Sequence, residues 1–123
     1  MAKSIQHIFK KKLNYSIGGR LYIECDSGHF FGPGKAELLE RIEKTGSLSE
    51  AAKQMEMSYK KAWEMVSELN EQSAMPMVIL KSGGEKGGGS VITDEAKELL
   101  TQHKLLRKRF QDFLEKETER LYD

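Results

Sequence analysis

The stretch Gly46-Ser47-Leu48-Ser49-Glu50-Ala51-Ala52-Lys53-Gln54-Met55-Glu56-Met57-Ser58-Tyr59-Lys60-Lys61-Ala62-Trp63-Glu64-Met65-Val66-Ser67-Glu68-Leu69 decides the architecture. Ser47 followed by Glu50 reads as a capping box: the hydroxyl takes the Glu50 amide and the carboxylate reaches back. Leu48, Ala51, Ala52 and Met55 then form the apolar face of a short helix. Glu56-Met57-Ser58 has room only for a tight turn. Ser58 caps a second helix from Tyr59 to about Gln72, with Ala62, Met65, Val66 and Leu69 on its inner face. Two short helices cross closely only where the residues between them are small, and Ala51, Ala52 and Ala62 meet that need. Such a turn often holds a glycine. Glu56 takes its place here at a modest backbone cost.

Outward from this unit, Leu38, Leu39 and Ile42 share one face of a helix from about Lys35 to Lys44, which Gly46 ends. Further upstream, Leu13, Tyr15 and Ile17 alternate with polar residues, Gly18-Gly19 is a turn signal, and Leu21 and Ile23 resume the alternation. This predicts a β-hairpin over 13–25, with a further extended piece from Gly28 to Phe31. Downstream, Pro76 stops the second helix of the pair. Met77 to Leu80 and Val91-Ile92 are strand candidates flanking the glycine-rich run 82–90. Thr93 caps a last helix over 94–121, with Asp94 and Glu95 well placed in its first turn.

The 123 residues suit one domain, taken as 1–123. The longest apolar run, Met77 to Leu80, is far short of a bilayer span, and Met1 to Lys12 lacks an apolar core of signal-peptide length. The expectation is a cytoplasmic protein with no membrane partner. Cys25 has only His29 at a spacing that suits a metal pair. No metal, no cofactor and no catalytic dyad are expected, and Cys25 is expected as a buried strand residue. The 20 Lys+Arg against 19 Asp+Glu weigh, at first sight, against a polyanionic partner. The distribution says otherwise. Met1 to Arg20 holds five basic residues and no acid, whereas the eight acids from Asp94 onward are mixed with seven basic residues at helical spacing.

A helix pair of this geometry is a helix-turn-helix, whose second helix enters the DNA major groove with its N-terminal residues at the base edges. The candidates are therefore Ser58, Tyr59, Lys60, Lys61, Trp63 and Glu64. Ser58 and its neighbouring amides can hold a phosphate. The lysines reach phosphates or guanine edges, Tyr59 or Trp63 meets thymine methyls, and Glu64 accepts from cytosine or orients a lysine. The bland alternatives are a solvated face for Lys60-Lys61 and a core anchor for Trp63. A glycine-rich hairpin directly after such a helix is a wing, in which Lys81 and Lys86 neutralise phosphates while Gly87 and Gly88 allow close approach. A nucleotide P-loop is excluded, because no Gly-Lys-Ser/Thr run opens a helix.

Gly46-Ser47-Leu48-Ser49 through Ala51-Ala52-Lys53, Met57-Ser58-Tyr59-Lys60-Lys61-Ala62-Trp63, Asn70 and Gly83-Gly84-Glu85-Lys86-Gly87-Gly88-Gly89 resemble the N-terminal winged-helix domain of ModE-type molybdate-responsive transcriptional regulators. The broader scaffold is similar to the DNA-binding domain of LysR-type regulators. The resemblance implies a homodimer on operator DNA and carries the DNA-facing role onto Ser58, Tyr59, Lys60, Lys61, Trp63, Lys86 and the wing glycines. It supplies no molybdate-binding residues, since the family's molybdate-binding domains follow the winged helix.

The expectation is thus an α+β fold: a winged helix-turn-helix (47–72, wing 77–92) with an added N-terminal hairpin and a long C-terminal dimerisation helix. Leu106, Phe110, Phe113, Leu114 and Leu121 lie where one domain has little left to cover them, so a twofold dimer is expected there, shared by Leu38, Leu39 and Ile42. Double-stranded DNA is the expected partner. The competing reading is a protein-interaction module on the same dimer. The hairpin is open to three roles: extending the sheet, covering the dimer seam, or pairing with a separate effector-binding protein.

Overall fold

The computed structural model describes residues 4–81 and 89–123. Its elements, in chain order, are β1 (Ile23–Cys25), β2 (Gly28–Phe31), α1 (Pro33–Thr45), α2 (Leu48–Gln54), α3 (Tyr59–Gln72), β3 (Val78–Leu80), β4 (Ser90–Ile92) and α4 (Asp94–Arg120). A single 3-10 turn, Gln6–Ile8, precedes them. The fold is α+β, with two separate antiparallel pairs, β1–β2 and β3–β4.

Helix boundaries follow local chemistry. α1 starts two residues earlier than the apolar face alone predicts, because Pro33 has a preset φ and no amide to satisfy in the first turn. It ends where Gly46 turns left-handed (φ 70°) and donates its amide to the Ile42 carbonyl at 2.7 Å. α2 is capped by Ser47 Oγ, which accepts from the Glu50 amide at 3.1 Å. The reciprocal half of the expected capping box is replaced. The Ser47 amide donates to Thr45 Oγ1 at 3.2 Å, and Glu50 pairs with Lys53 instead. The α2–α3 turn places Glu56 at φ 54°, the one left-handed non-glycine residue among those described. Ser58 caps α3 through the Lys61 amide at 3.0 Å, and Thr93 caps α4 through the Ala96 amide at 3.2 Å.

α1 is the hub, packing against α2, α3, α4, β2 and β4. Its Leu38, Leu39 and Ile42 are buried with Phe31, Leu48, Ala51, Ala52, Ala62, Val66, Leu69, Val78 and Ala96. This corrects the expectation that Leu38, Leu39 and Ile42 serve a dimer. They are at most 1% exposed inside one chain, so no surface is left for a partner.

The hairpin also lies elsewhere than expected. It spans 23–31, with Cys25 opposite Gly28 across Asp26-Ser27 and Gly28 at φ 115°. Residues 13–22 form no strand. They run along α4 instead. The Ile17 amide donates to Thr118 Oγ1 and the Tyr15 amide to Tyr122 Oη, each at 2.8 Å. Gln6 donates to the Tyr122 carbonyl, and Phe9 stacks on Tyr15 with ring centroids 4.2 Å apart. Gly19 lies against the Phe110 ring, which a Cβ would meet at 3.3 Å. The alternating residues thus serve an extended arm on a helix. That arm reaches the α4 seam expected to need a second chain. Leu114 is buried, and Phe110, Leu106 and Leu121 are partly buried. Phe113 stays 55% exposed.

Candidate nucleic-acid interface

Ser58, Tyr59, Lys60, Lys61, Trp63 and Glu64 are all exposed, so the first turns of α3 present one continuous surface. Tyr59 is 53% and Trp63 46% exposed, which removes the core-anchor reading of Trp63. Neither Lys60 nor Lys61 has a carboxylate within ion-pair distance among the described residues. Ser58 spends its oxygen on the Lys61 amide, yet its hydroxyl hydrogen remains available to an anion. The arrangement therefore offers cationic, aromatic and hydroxyl groups from one rigid helix start.

Two polar side chains hold the α2–α3 pair in place, and periodicity gave no hint of either role. Asn70, at the far end of α3, accepts from the Met77 and Val78 amides at 2.7 and 3.1 Å and donates to the Val78 carbonyl at 2.9 Å. It locks α3 to β3. Ser90 is buried: its hydroxyl accepts from the Leu48 amide at 3.1 Å and its own amide donates to the Gly46 carbonyl at 2.8 Å. It locks β4 to the start of α2. Asn70 was visible only as part of the family resemblance. Ser90 stood out only as the end of a glycine-rich run. A third tie is Lys35, whose ammonium donates to the Phe30 carbonyl at 2.9 Å and pairs with Glu68 of α3 at 3.4 Å.

The β3–β4 pair keeps strict register, Val78 opposite Ile92, Ile79 opposite Val91 and Leu80 opposite Ser90. Val78 and Ile92 face the core, while Ile79, Leu80 and Val91 are exposed. Lys81 is exposed, and its amide closes the pair by donating to the Gly89 carbonyl at 2.8 Å. Lys86, Gly87 and Gly88 lie outside the described residues.

Among the described residues, no three His, Cys, Asp or Glu side chains gather as a metal site. His29 pairs with Glu24 at 3.2 Å and stacks on Tyr22 at 3.9 Å. Cys25 is a strand residue as expected, but it is exposed rather than buried: β1 is a short edge with its outer side to solvent. His103, on α4, is 2% exposed, with its ring edge-on to Phe31 and no partner for Nε2. Burial, and then the Arg107 guanidinium, push its pKa below the ordinary histidine value, while Glu40 pulls weakly the other way. No described helix is long and apolar enough to cross a membrane.

No family model matches the chain. Among curated proteins, it is 33% identical over 102 residues to the molybdenum transport protein ModE of Azotobacter vinelandii, covering 83% of this chain and 38% of that protein. It is 35% identical over 88 residues to the transcriptional regulator ModE of Haemophilus influenzae, covering 72% of this chain and 34% of the relative. It is 38% identical over 77 residues to the DNA-binding transcriptional dual regulator ModE of Escherichia coli K12, covering 63% and 29%. The chain thus spans about a third of the length of these relatives. The similarity supports a relationship to ModE proteins.

Proposed function

We propose that the chain is a sequence-specific DNA-binding transcriptional regulator related to ModE, and not an enzyme. Its DNA-binding unit is a winged helix-turn-helix, with α2–turn–α3 as the motif, α3 as the recognition helix in the major groove and β3–β4 as the base of the wing. The observation that carries this reading is the start of α3, where Ser58, Tyr59, Lys60, Lys61 and Trp63 are exposed and neither lysine has an ion-pair partner among the described residues, clamped at its other end by Asn70. The relatives named as transcriptional regulators support the same reading. Ser58 and the helix N-terminus hold a phosphate, Lys60 and Lys61 contact phosphate or guanine, Tyr59 and Trp63 pack on thymine methyls, and Glu64 sets specificity. Lys81 and Lys86 follow the backbone with Gly87 and Gly88.

Palindromic operators match a homodimer. The surface proposed for it is the α4 face that the arm leaves open, centred on Phe113 and Leu105, which are 55% and 49% exposed, with Leu106 at its edge.

Selection from a random duplex library, followed by anisotropy at several salt concentrations, tests the proposal. A Lys60→Ala/Lys61→Ala protein should lose binding and lower the salt slope by about 2, close to one unit for each phosphate left without its lysine. The absence of salt-dependent binding to any selected duplex would overturn it. The exposed Ile79, Leu80 and Val91 favour one competing reading, a protein-docking module on the same dimer. That reading predicts binding insensitive to Lys60 and Lys61.

A further inference from the structure

The near balance of charge in α4 hides a local excess. Between Glu98 and Asp112 there is no acid, while Lys104, Arg107, Lys108 and Arg109 are all basic. Residues 104, 107, 108 and 111 fall on one helix face, since positions three and four apart are neighbours. Upstream, the arm from Ser4 to Ile23 also lacks any acid. The close approach of Gly19 to Phe110 brings Arg20 of the arm to this same face.

Together they line a cleft of about 410 Å³, with Gly19, Arg20, Lys104, Arg107, Lys108 and Phe110 on its walls and no carboxylate among its lining residues. Lys108 is held by Asp112 at 2.8 Å, which raises its pKa through hydrogen bonding and charge. Among the described residues, Arg20, Lys104 and Arg107 have no acidic partner within 4.0 Å. Three unneutralised cations drawn from two segments repel one another. A multivalent anion between them turns that repulsion into a bridge, and guanidinium groups match a tetrahedral oxyanion in two-point geometry.

We propose that this cleft binds a small multivalent oxyanion of the phosphate type, held by Arg20 from the arm and by Lys104 and Arg107 from α4. Binding ties the arm to the helix. It stabilises the arm by mass action, because the site exists only while the arm is docked.

The test titrates the full chain with inorganic phosphate, at ionic strength fixed with sodium chloride, and follows backbone amides by NMR. Saturating shifts are expected at Gly19 to Leu21 and at Lys104 to Gln111. Arg107→Gln and Arg20→Gln should each weaken binding about fivefold, the scale of one exposed ion pair, and Lys116→Gln, an exposed lysine outside the cleft, should leave it unchanged. Shifts linear in phosphate, or equal titrations in the parent and both cleft variants, would overturn the proposal. If Arg107→Gln unfolds the chain, Arg20→Gln on the extended arm decides alone. Duplex binding separates the two carriers of phosphate. An Arg107→Gln protein that binds DNA within about twofold of the parent supports the free anion. A loss as deep as that of Lys60→Ala/Lys61→Ala assigns the cleft to the DNA backbone and overturns it. The phosphate titration is decisive even where no duplex binds.

Discussion

The half of the molecule built around α1 and the half built from the arm and α4 are held by different means. Around α1, Leu38, Leu39, Ile42, Ala51, Ala62 and Leu69 exclude water almost completely. Along α4, the arm is held by hydrogen bonds from its own amides to the Thr118 and Tyr122 hydroxyls and by stacked rings, while Ile5, Ile8, Leu13 and Ile17 stay exposed. The first half is stabilised by apolar burial, which is additive and large. The second rests on a few polar contacts near solvent, each of small net worth. A rigid platform for α3 and a releasable arm follow from the same division.

The strongest challenge to this contrast is in the core. Ile42→Ala should destabilise the chain by about 3 kcal/mol in urea titration, as a buried aliphatic deletion that leaves a cavity. A loss under about 1 kcal/mol would mean that α1 is no hub. Next, Asn70→Ala removes three bonds linking α3 to β3 and should cost about 2 kcal/mol. It should also raise amide exchange in Met77 and Val78 before the global transition. On the arm side, Tyr122→Phe strands the Tyr15 amide near solvent and should cost about 1 kcal/mol or less. A cost equal to that of Ile42→Ala would erase the difference between the halves. Glu56→Gly relieves the left-handed turn but adds unfolded-state entropy, so a gain of about 0.5 kcal/mol is expected.

The last check is a slope rather than a loss. His103 is buried neutral and its folded pKa is depressed, so the unfolded chain takes up the proton first. Its contribution to stability is complete above the unfolded value near 6.5 and disappears as pH falls through the folded one. Melting temperatures between pH 7 and 5 should fall less steeply in His103→Leu than in the parent. Parallel profiles would show that the imidazole is not buried against Phe31.

α1, α2 and α3 were legible because their order is local. Ser47, Ser58 and Thr93 cap, Gly46 ends a helix, and apolar residues recur every three or four positions. The exposed candidates on α3 followed from the same period. The hairpin was misplaced because period-two alternation reports an extended chain with two unlike sides and not what lies on either side. Tyr15 and Ile17 alternate against α4, and the true turn at Asp26-Ser27 joins strands too short to show a pattern. The expected roles of Leu38, Leu39 and Ile42 failed for a related reason: an apolar face has no label for intrachain or interchain cover. Asn70 and Ser90 act across loops, where no spacing rule reaches.

The arm also has a temporal meaning. Tyr15 and Tyr122 meet across 107 positions, and Ile17 and Thr118 across 101, so the arm is synthesised well before α4 and finds its seat only after α4 is made. The α1–α2–α3 contacts close over short loops and form early, while arm docking must close nearly the whole chain. Until then Phe9 lacks the Tyr122 ring and the Tyr15 amide lacks the Tyr122 hydroxyl that they meet in the folded chain. Interactions made that late are absent from the folding transition state. Loosening them speeds unfolding and leaves the refolding rate where it was.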